Sequence, residues 1–193
     1  MSEIARLTLP PKTIETAGPR AAQALEGAKK SLGFVPNMYA NMANAPEMLE
    51  SYLTGYKLFR GEAGFTPAEQ EVIFLTISRV NGCAYCMAAH SMIAEKMSKV
   101  PAPDLDAVRR GAALPDAKLR ALARFTEIMV ESRGRPAQGD VAAFAAAGYS
   151  ERHVLGVILA ISVKTISNYT NHVFHTEVDP VFADYSWREA GAA

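Results

Sequence analysis

Apolar residues recur along the chain at helical rather than strand spacing. After Pro19, Ala22, Leu25, Ala28 and Leu32 form one stripe, and Gly33 followed by Phe34 predicts a left-handed C-terminal cap with its hydrophobic contact. A short helix is expected after Pro36. Pro46 opens another, with Leu49, Tyr52, Leu53, Tyr56 and Phe59 at helical spacing and a stop near Gly61. Thr66-Pro67-Ala68-Glu69 reads as a capping box with proline at the first helical position, because the hydroxyl and the carboxylate can satisfy two amides that the helix itself leaves unpaired. The helix it starts is apolar on nearly every side through Val72, Ile73, Phe74, Leu75, Ile77 and Val80, which marks it as buried, and Asn81-Gly82 ends it. Cys83 begins the next helix, to about Ser98.

Beyond Pro101 and Pro103, the pattern predicts a short helix to Arg110, a long one from Asp116 to Ser132, a short one from Asp140 to Ala147, and a last long helix from Glu151 to about His175. The segment from Thr176, with Pro180 and Trp187, reads as an arm that docks on the body or on a neighbouring subunit. A weak internal echo appears at a shift of 84 residues. It aligns Phe65-Thr66 with Tyr149-Ser150, Leu75 with Leu159, Ile77-Ser78 with Ile161-Ser162 and Tyr85 with Tyr169. The expectation is a single all-α domain over 1–193, with a pseudo-repeat relating 65–100 to 149–182 and a tail over 183–193. In the second copy Ser167 and Thr170 stand where Cys83 and Cys86 stand in the first; chance similarity between two apolar helices is the competing explanation.

Composition changes this picture little. Alanine is abundant, there are eight methionines, and 49% of the residues are apolar against 21% charged, as in an ordinary globular protein. Twenty basic residues balance twenty acidic ones, so no electrostatic attraction to nucleic acid or an anionic membrane is expected. Apolar runs such as Val72 to Leu75 and Val157 to Ile161 fall far short of the roughly 20 residues of a membrane span. Met1 to Thr13 lacks the apolar core of a secretory signal, and the expected location is cytoplasmic.

The two cysteines, Cys83 and Cys86, are three apart, a spacing that two randomly placed cysteines would show on the order of one time in a hundred. They fall at a predicted helix start, where exposed amides and the positive end of the helix dipole favour thiolate over thiol. His90 lies four residues after Cys86, so imidazole and thiol share a helix face. Glu71 and His90 are similarly far from the Asn81-Gly82 turn, which puts them at one height in an antiparallel hairpin, where the carboxylate would fix the imidazole tautomer. Each residue also has a structural explanation. The cysteines could be two small apolar residues in a core, or join His90 as zinc ligands short of a fourth. Glu71 could be a first-turn acid that favours the helix dipole, and His172 and His175 read as C-terminal-turn cations.

Glu71, eleven intervening residues, Cys83-x-x-Cys86, three more and His90 resemble the motif of the alkyl hydroperoxidase D group of the carboxymuconolactone decarboxylase superfamily, an all-helical family. Phe65 to Glu69, Ala147 to Ser150 and Asn168 to His172 resemble the same group, so the likeness covers most of 30–182. It implies a thiol peroxidase in which Cys86 attacks an organic hydroperoxide, Cys83 condenses with the resulting sulfenic acid, and Glu71 and His90 relay protons. Tyr85 stands where the best-known members carry a second histidine; it can donate a hydrogen bond, but with an ordinary pKa near 10 it is a poor base. The likeness further implies no bound cofactor, an external dithiol or lipoylated protein as reductant, and a homotrimer or homohexamer. The superfamily's lyase activity on small lactones and a non-enzymatic redox-responsive role are the alternatives. From helix position alone, Cys83 is expected to be the more accessible sulfur and Cys86 the inner, attacking one.

Overall fold

The computed structural model describes residues 4–188. Among the described residues nine α-helices follow one another: α1 Pro19–Leu32, α2 Asn37–Met42, α3 Pro46–Glu62, α4 Pro67–Val80, α5 Ala84–Lys96, α6 Ala102–Arg110, α7 Ala117–Glu131, α8 Gln138–Ala146 and α9 Glu151–Phe174. A 3-10 turn at Pro180–Tyr185 closes the described chain, and no strand occurs among the described residues. The fold is all-α, as the pattern of apolar positions predicts.

α4 is the axis of the fold. Every residue from Glu69 to Ser78 is buried, because α5, α6, α7 and α9 pack around it. Its start is fixed as expected: Thr66 N donates to Glu69 Oε2 at 2.8 Å and Glu69 N to Thr66 Oγ1 at 3.3 Å. Caps of this kind contribute on the order of 1 kcal/mol. Glu69 does more than cap: its other oxygen accepts from Tyr149 Oη at 2.9 Å and meets Lys118 Nζ at 2.9 Å, tying the start of α4 to α7 and to the entrance of α9. Aromatic rings fill the layers beside the axis, with Phe59 against Phe74 at 4.6 Å between centroids and Phe144 stacked between Phe125 and Tyr149 at 4.1 and 4.5 Å.

The internal echo has a structural counterpart over one helix only. Ser150 N donates to His153 Nδ1 at 3.0 Å, so Ser150 and His153 reproduce the places of Thr66 and Glu69 at the head of α9. The first copy then turns at Asn81 and Gly82, where Gly82 takes a φ of 68°. α9 carries no such break and runs straight through the equivalent positions, so the second copy is one long helix instead of a hairpin. The arm after α9 lies back on the molecule: its 3-10 turn packs on α5, Arg109 guanidinium nitrogens donate to the carbonyls of Tyr185 and Ser186 at 3.2 and 3.0 Å, and Trp187 Nε1 donates to the Arg109 carbonyl at 2.8 Å. The tail expected over 183–193 is thus docked through Trp187, and residues 189–193 lie outside the described residues.

α9 approaches its neighbours most closely at Gly156. A Cβ there would sit 2.8 Å from the Phe65 ring and 3.3 Å from the Ala63 carbonyl oxygen. Helix propensity alone favours alanine over glycine by about 1 kcal/mol, whereas forcing a methyl into a packed core costs roughly 1–3 kcal/mol. Gly156→Ala is therefore expected to lower the denaturation midpoint, measured by chemical unfolding, against the direction of its helix propensity.

Candidate active site

Cys83 is the N-cap of α5 and Cys86 lies in that helix's first turn. Both are free thiols and both are buried, at 1% and 2% exposure. The expectation that Cys83 is the more accessible sulfur fails here, because the cap residue turns inward against α9. One face of α9 covers the pair: Asn171 Nδ2 donates to Cys86 Sγ at 3.3 Å and to Cys83 Sγ at 3.7 Å, and the Cys86 thiol lies 3.8 Å from Ser167 Oγ. Lys164, three residues before Ser167, completes that face and is fully buried.

Burial opposes ionisation of Cys86, but the hydrogen bond from Cys83 and the positive charge of Lys164 outweigh it and hold the Cys86 thiol well below its ordinary range. Cys83 moves the opposite way: its thiol is engaged with Cys86 and is buried, so it stays protonated. The two sulfurs are thereby differentiated into a thiolate and a thiol that donates to it.

Glu71 and His90 meet across the hairpin as the spacing predicts, with His90 Nδ1 2.8 Å from Glu71 Oε2. The other Glu71 oxygen is ion-paired with Arg60. Burial raises the Glu71 pKa, yet His90 and Arg60 overcome it and keep the carboxylate ionised. His90 is held below its ordinary value by burial and by the charge of Lys164, against the pull of Glu71. An ionised carboxylate only accepts, so Nδ1 carries the proton and Nε2 of the neutral ring holds a free lone pair, the arrangement of a proton acceptor. Arg60 is itself braced: it donates to Tyr56 Oη at 2.7 Å and to Gln70 Oε1 at 3.0 Å, and lies 4.9 Å from the centroids of both Tyr56 and Phe74.

These groups open onto a cavity of about 660 Å³ whose wall includes Cys86 and His90 but not Cys83. Tyr39, Tyr52, Tyr56 and Arg60 form one side, Met92 and Phe34 another, and Val181 and Phe182 of the C-terminal turn close its edge. Tyr85 also lines the cavity, but it does not join the relay. Its hydroxyl donates to Asp179 Oδ2 at 2.5 Å and its ring meets Phe182 edge-on, so it holds the C-terminal segment over the site. Of the site candidates, Tyr85 is thus the one whose polar atom is committed away from Cys86, His90 and Glu71. Among the described residues no three His, Cys, Asp or Glu side chains converge to hold a metal ion, and Cys83, Cys86 and His90 do not form such a group.

Residues 46–127, from the start of α3 to the later turns of α7, match the family model of the carboxymuconolactone decarboxylase family. That stretch is 82 of the 193 residues, and over it the chain is similar to that family. No curated protein matches it significantly. Among solved structures, the chain is similar to the alkylhydroperoxidase AhpD core of an uncharacterized peroxidase-related protein from Ralstonia eutropha JMP134, with a TM-score of 0.79 and 20% identity over 94% of this chain and 96% of that one. A second uncharacterized peroxidase-related protein, from Silicibacter sp. TM1040, gives 0.77 and 22% over 94% and 95%. A debrominase solved as a cysteine-to-alanine variant with 2,3,4-tribromopyrrole gives 0.73 and 16% over 95% and 97%. At these identities the likeness is one of fold.

Sequence reasoning does not find Lys164, Arg60, Ser167 or Asn171, which complete the site from α3 and α9. The available signal is a lone lysine in the apolar run Val157 to Ile166, followed by small polar residues at helical spacing, and nothing local to it points to a cysteine some eighty residues earlier. The site also predicts an acid response. His90 neutral and Glu71 ionised both bind fewer protons folded than unfolded, so stability is present above the unfolded histidine value of about 6.5 and falls as pH drops through it. Melting temperature is expected to fall between pH 7.5 and pH 5, and less steeply in His90→Gln.

Proposed function

We propose that the chain is a thiol-dependent peroxidase acting on organic hydroperoxides. The observation that carries this reading is the unequal environment of the two sulfurs: Cys86 faces the cavity as a thiolate, while Cys83 lies behind it as a thiol within condensing distance along one helical turn. The Cys86 thiolate attacks the terminal oxygen of the hydroperoxide, the O–O bond breaks, and the departing alkoxide takes a proton and leaves as the alcohol. His90 Nε2, set by the Nδ1–Glu71 bond, accepts the hydroperoxide O–H proton as the sulfur attacks and hands it to the departing alkoxide, and the sulfenate left on Cys86 takes up a solvent proton to become the sulfenic acid. Cys83 then attacks the sulfenic sulfur, water leaves, and a Cys83–Cys86 disulfide forms. Two thiols are oxidised and one peroxide is reduced to alcohol and water. An external dithiol of the lipoyl type, free or protein-borne, returns the disulfide to two thiols, and its route is the cavity, where it meets the disulfide at Cys86, since Cys83 is buried behind the wall. The reading calls for no bound cofactor and suits the reducing cytoplasm, and no helix among the described residues is long and apolar enough to cross a membrane.

A second reading uses the same thiols. The tyrosine-lined wall suits a planar aromatic, and a brominated aromatic reduced there would release bromide and leave hydrogen in its place as the pair becomes a disulfide. Turnover of an organic hydroperoxide with dihydrolipoamide, beside bromide release from a brominated pyrrole, separates the two. The expected result is peroxide consumption; absence of peroxide-dependent disulfide formation would reject the first reading. Cys83→Ser should consume one equivalent of peroxide and stop with a trappable sulfenic acid on Cys86, while Cys86→Ser should consume almost none. Mass spectrometry that finds the sulfenic acid on Cys83 instead would reverse the roles.

We further propose that the protein is a homotrimer or homohexamer. Leu155, Ile158 and Tyr169 of α9 are exposed at 59%, 47% and 57%, more apolar surface on one helix than a solvent face needs. Sedimentation at micromolar concentration should give a trimer or hexamer mass, and a monomer would reject the assignment.

A further inference from the structure

Lys164 is the least explained residue of the molecule. It lies in the middle of α9, its side chain has no solvent exposure, and its Nζ has no hydrogen-bond partner. The Phe74 ring lies 5.4 Å from Nζ to the centroid, and the ionisable group on which the ammonium acts at close range, favouring the charged form, is the Cys86 thiol, which faces it across the surface shared with Ser167 and Asn171. A lone ammonium in such a place is strongly destabilising unless an anion compensates it.

The surroundings leave one group free to do so. Tyr39 faces Cys86 from α2, Tyr52 and Tyr56 from α3, Glu71 from α4, Cys83, Tyr85 and His90 from α5, and Lys164 from α9. Arg60 reaches the cluster through Glu71, and Asp179 lies behind Tyr85. Glu71 is already held by Arg60 and His90, and Asp179 accepts from Tyr85 and from the backbone amide of Asn37. The tyrosines are buried and un-ionised, and the imidazole is neutral. Asp179 is set apart from Cys86 by the Tyr85 side chain and is satisfied by neutral donors, so among the groups around the sulfur itself a Cys86 thiol leaves two cations, Arg60 and Lys164, against one anion, Glu71. With Cys86 as a thiolate, the charges balance.

We propose that Lys164 is the fixed counter-ion of the Cys86 thiolate, a positioning residue that keeps the attacking sulfur ionised while His90 is left neutral to handle protons. The use of that thiolate in peroxide reduction rests on the peroxidase reading; the charge relation does not. It divides between two residues the tasks that the sequence alone assigns to one histidine. It also accounts for a thiolate in a nearly closed site, since the helix N-terminus and Asn171 supply only partial charges.

The experiment measures ionisation of Cys86 without any substrate. In the Cys83→Ser protein, the rate of alkylation of Cys86 by iodoacetamide is followed by mass spectrometry across pH 5 to 10. In Lys164→Met the midpoint should rise by about one pH unit or more, with alkylation at pH 7 slowed on the order of tenfold and the alkaline limiting rate recovered. Lys164→Arg should retain most of the parental midpoint, and His90→Gln should leave it nearly in place. A midpoint unmoved in Lys164→Met, or one that moves in His90→Gln alone, overturns the proposal. Stability provides a second readout for the case in which alkylation is limited by access. Cys86→Ser leaves Lys164 uncompensated and should melt below the parent at pH 8, and adding Lys164→Met should restore part of the loss; strictly additive changes overturn the pairing. Failure of hydroperoxide turnover with the alkylation shift present removes the peroxidase reading and leaves the counter-ion. An unmoved alkylation profile with turnover intact does the reverse.

Discussion

A carboxylate with no solvent exposure in the middle of the most buried helix constrains everything around it. Glu71 sits on α4 among side chains that exclude water, where an unpaired charge would cost several kcal/mol. Arg60 must therefore come from α3 and His90 from α5, and each needs its own support. Arg60 takes it from Tyr56, Gln70 and the Phe74 ring, and His90 from the hairpin geometry that brings it to 2.8 Å. The positions of α3 and α5 against the central helix follow from satisfying one acid. The functional geometry is a by-product of that requirement: once Nδ1 of His90 is committed, Nε2 is the nitrogen left for chemistry.

The second constraint is the N-terminus of α5. Placing one cysteine at the cap and the other in the first turn gives them different electrostatic surroundings although they are three residues apart. The outcome depends on α9, whose Lys164, Ser167 and Asn171 are spaced to contact the pair from one face. An uninterrupted α9 is what makes that possible. Had the second copy turned at the place where α4 gives way to α5, Lys164 and Asn171 would lie on different helices and could not present one surface.

Fold and chemistry separate in the comparisons. The arrangement of helices is shared with peroxidase-related proteins and with a debrominase at 16–22% identity, a likeness of fold alone. Two local features set the site of this chain: a tyrosine between the cysteines that reaches Asp179 and draws the C-terminal turn over the cavity, and a buried lysine without a hydrogen-bond partner on the face of α9 that covers the sulfurs. The first shapes access to the site and the second its charge.

The helices, their starts at Pro19, Pro46 and Thr66, the buried character of α4 and the pairing of Glu71 with His90 were legible in the sequence, because each depends on residues close in the chain or on distances measured from a single turn. Capping and periodicity act within a few residues, and a hairpin converts equal separations into contact. The expectation that Cys83 is the open sulfur failed, and the Tyr85–Asp179 bond was not foreseen, for a common reason: the surroundings of both residues are set by α9 and by the segment at Asp179, about ninety residues away, and no local pattern encodes which face of a distant helix will arrive. Lys164 was invisible on the same ground: within its own helix it is one charge in an apolar run, and only the packing of α9 on α4 and α5, which takes that charge out of water and sets it beside a thiol, gives it a partner.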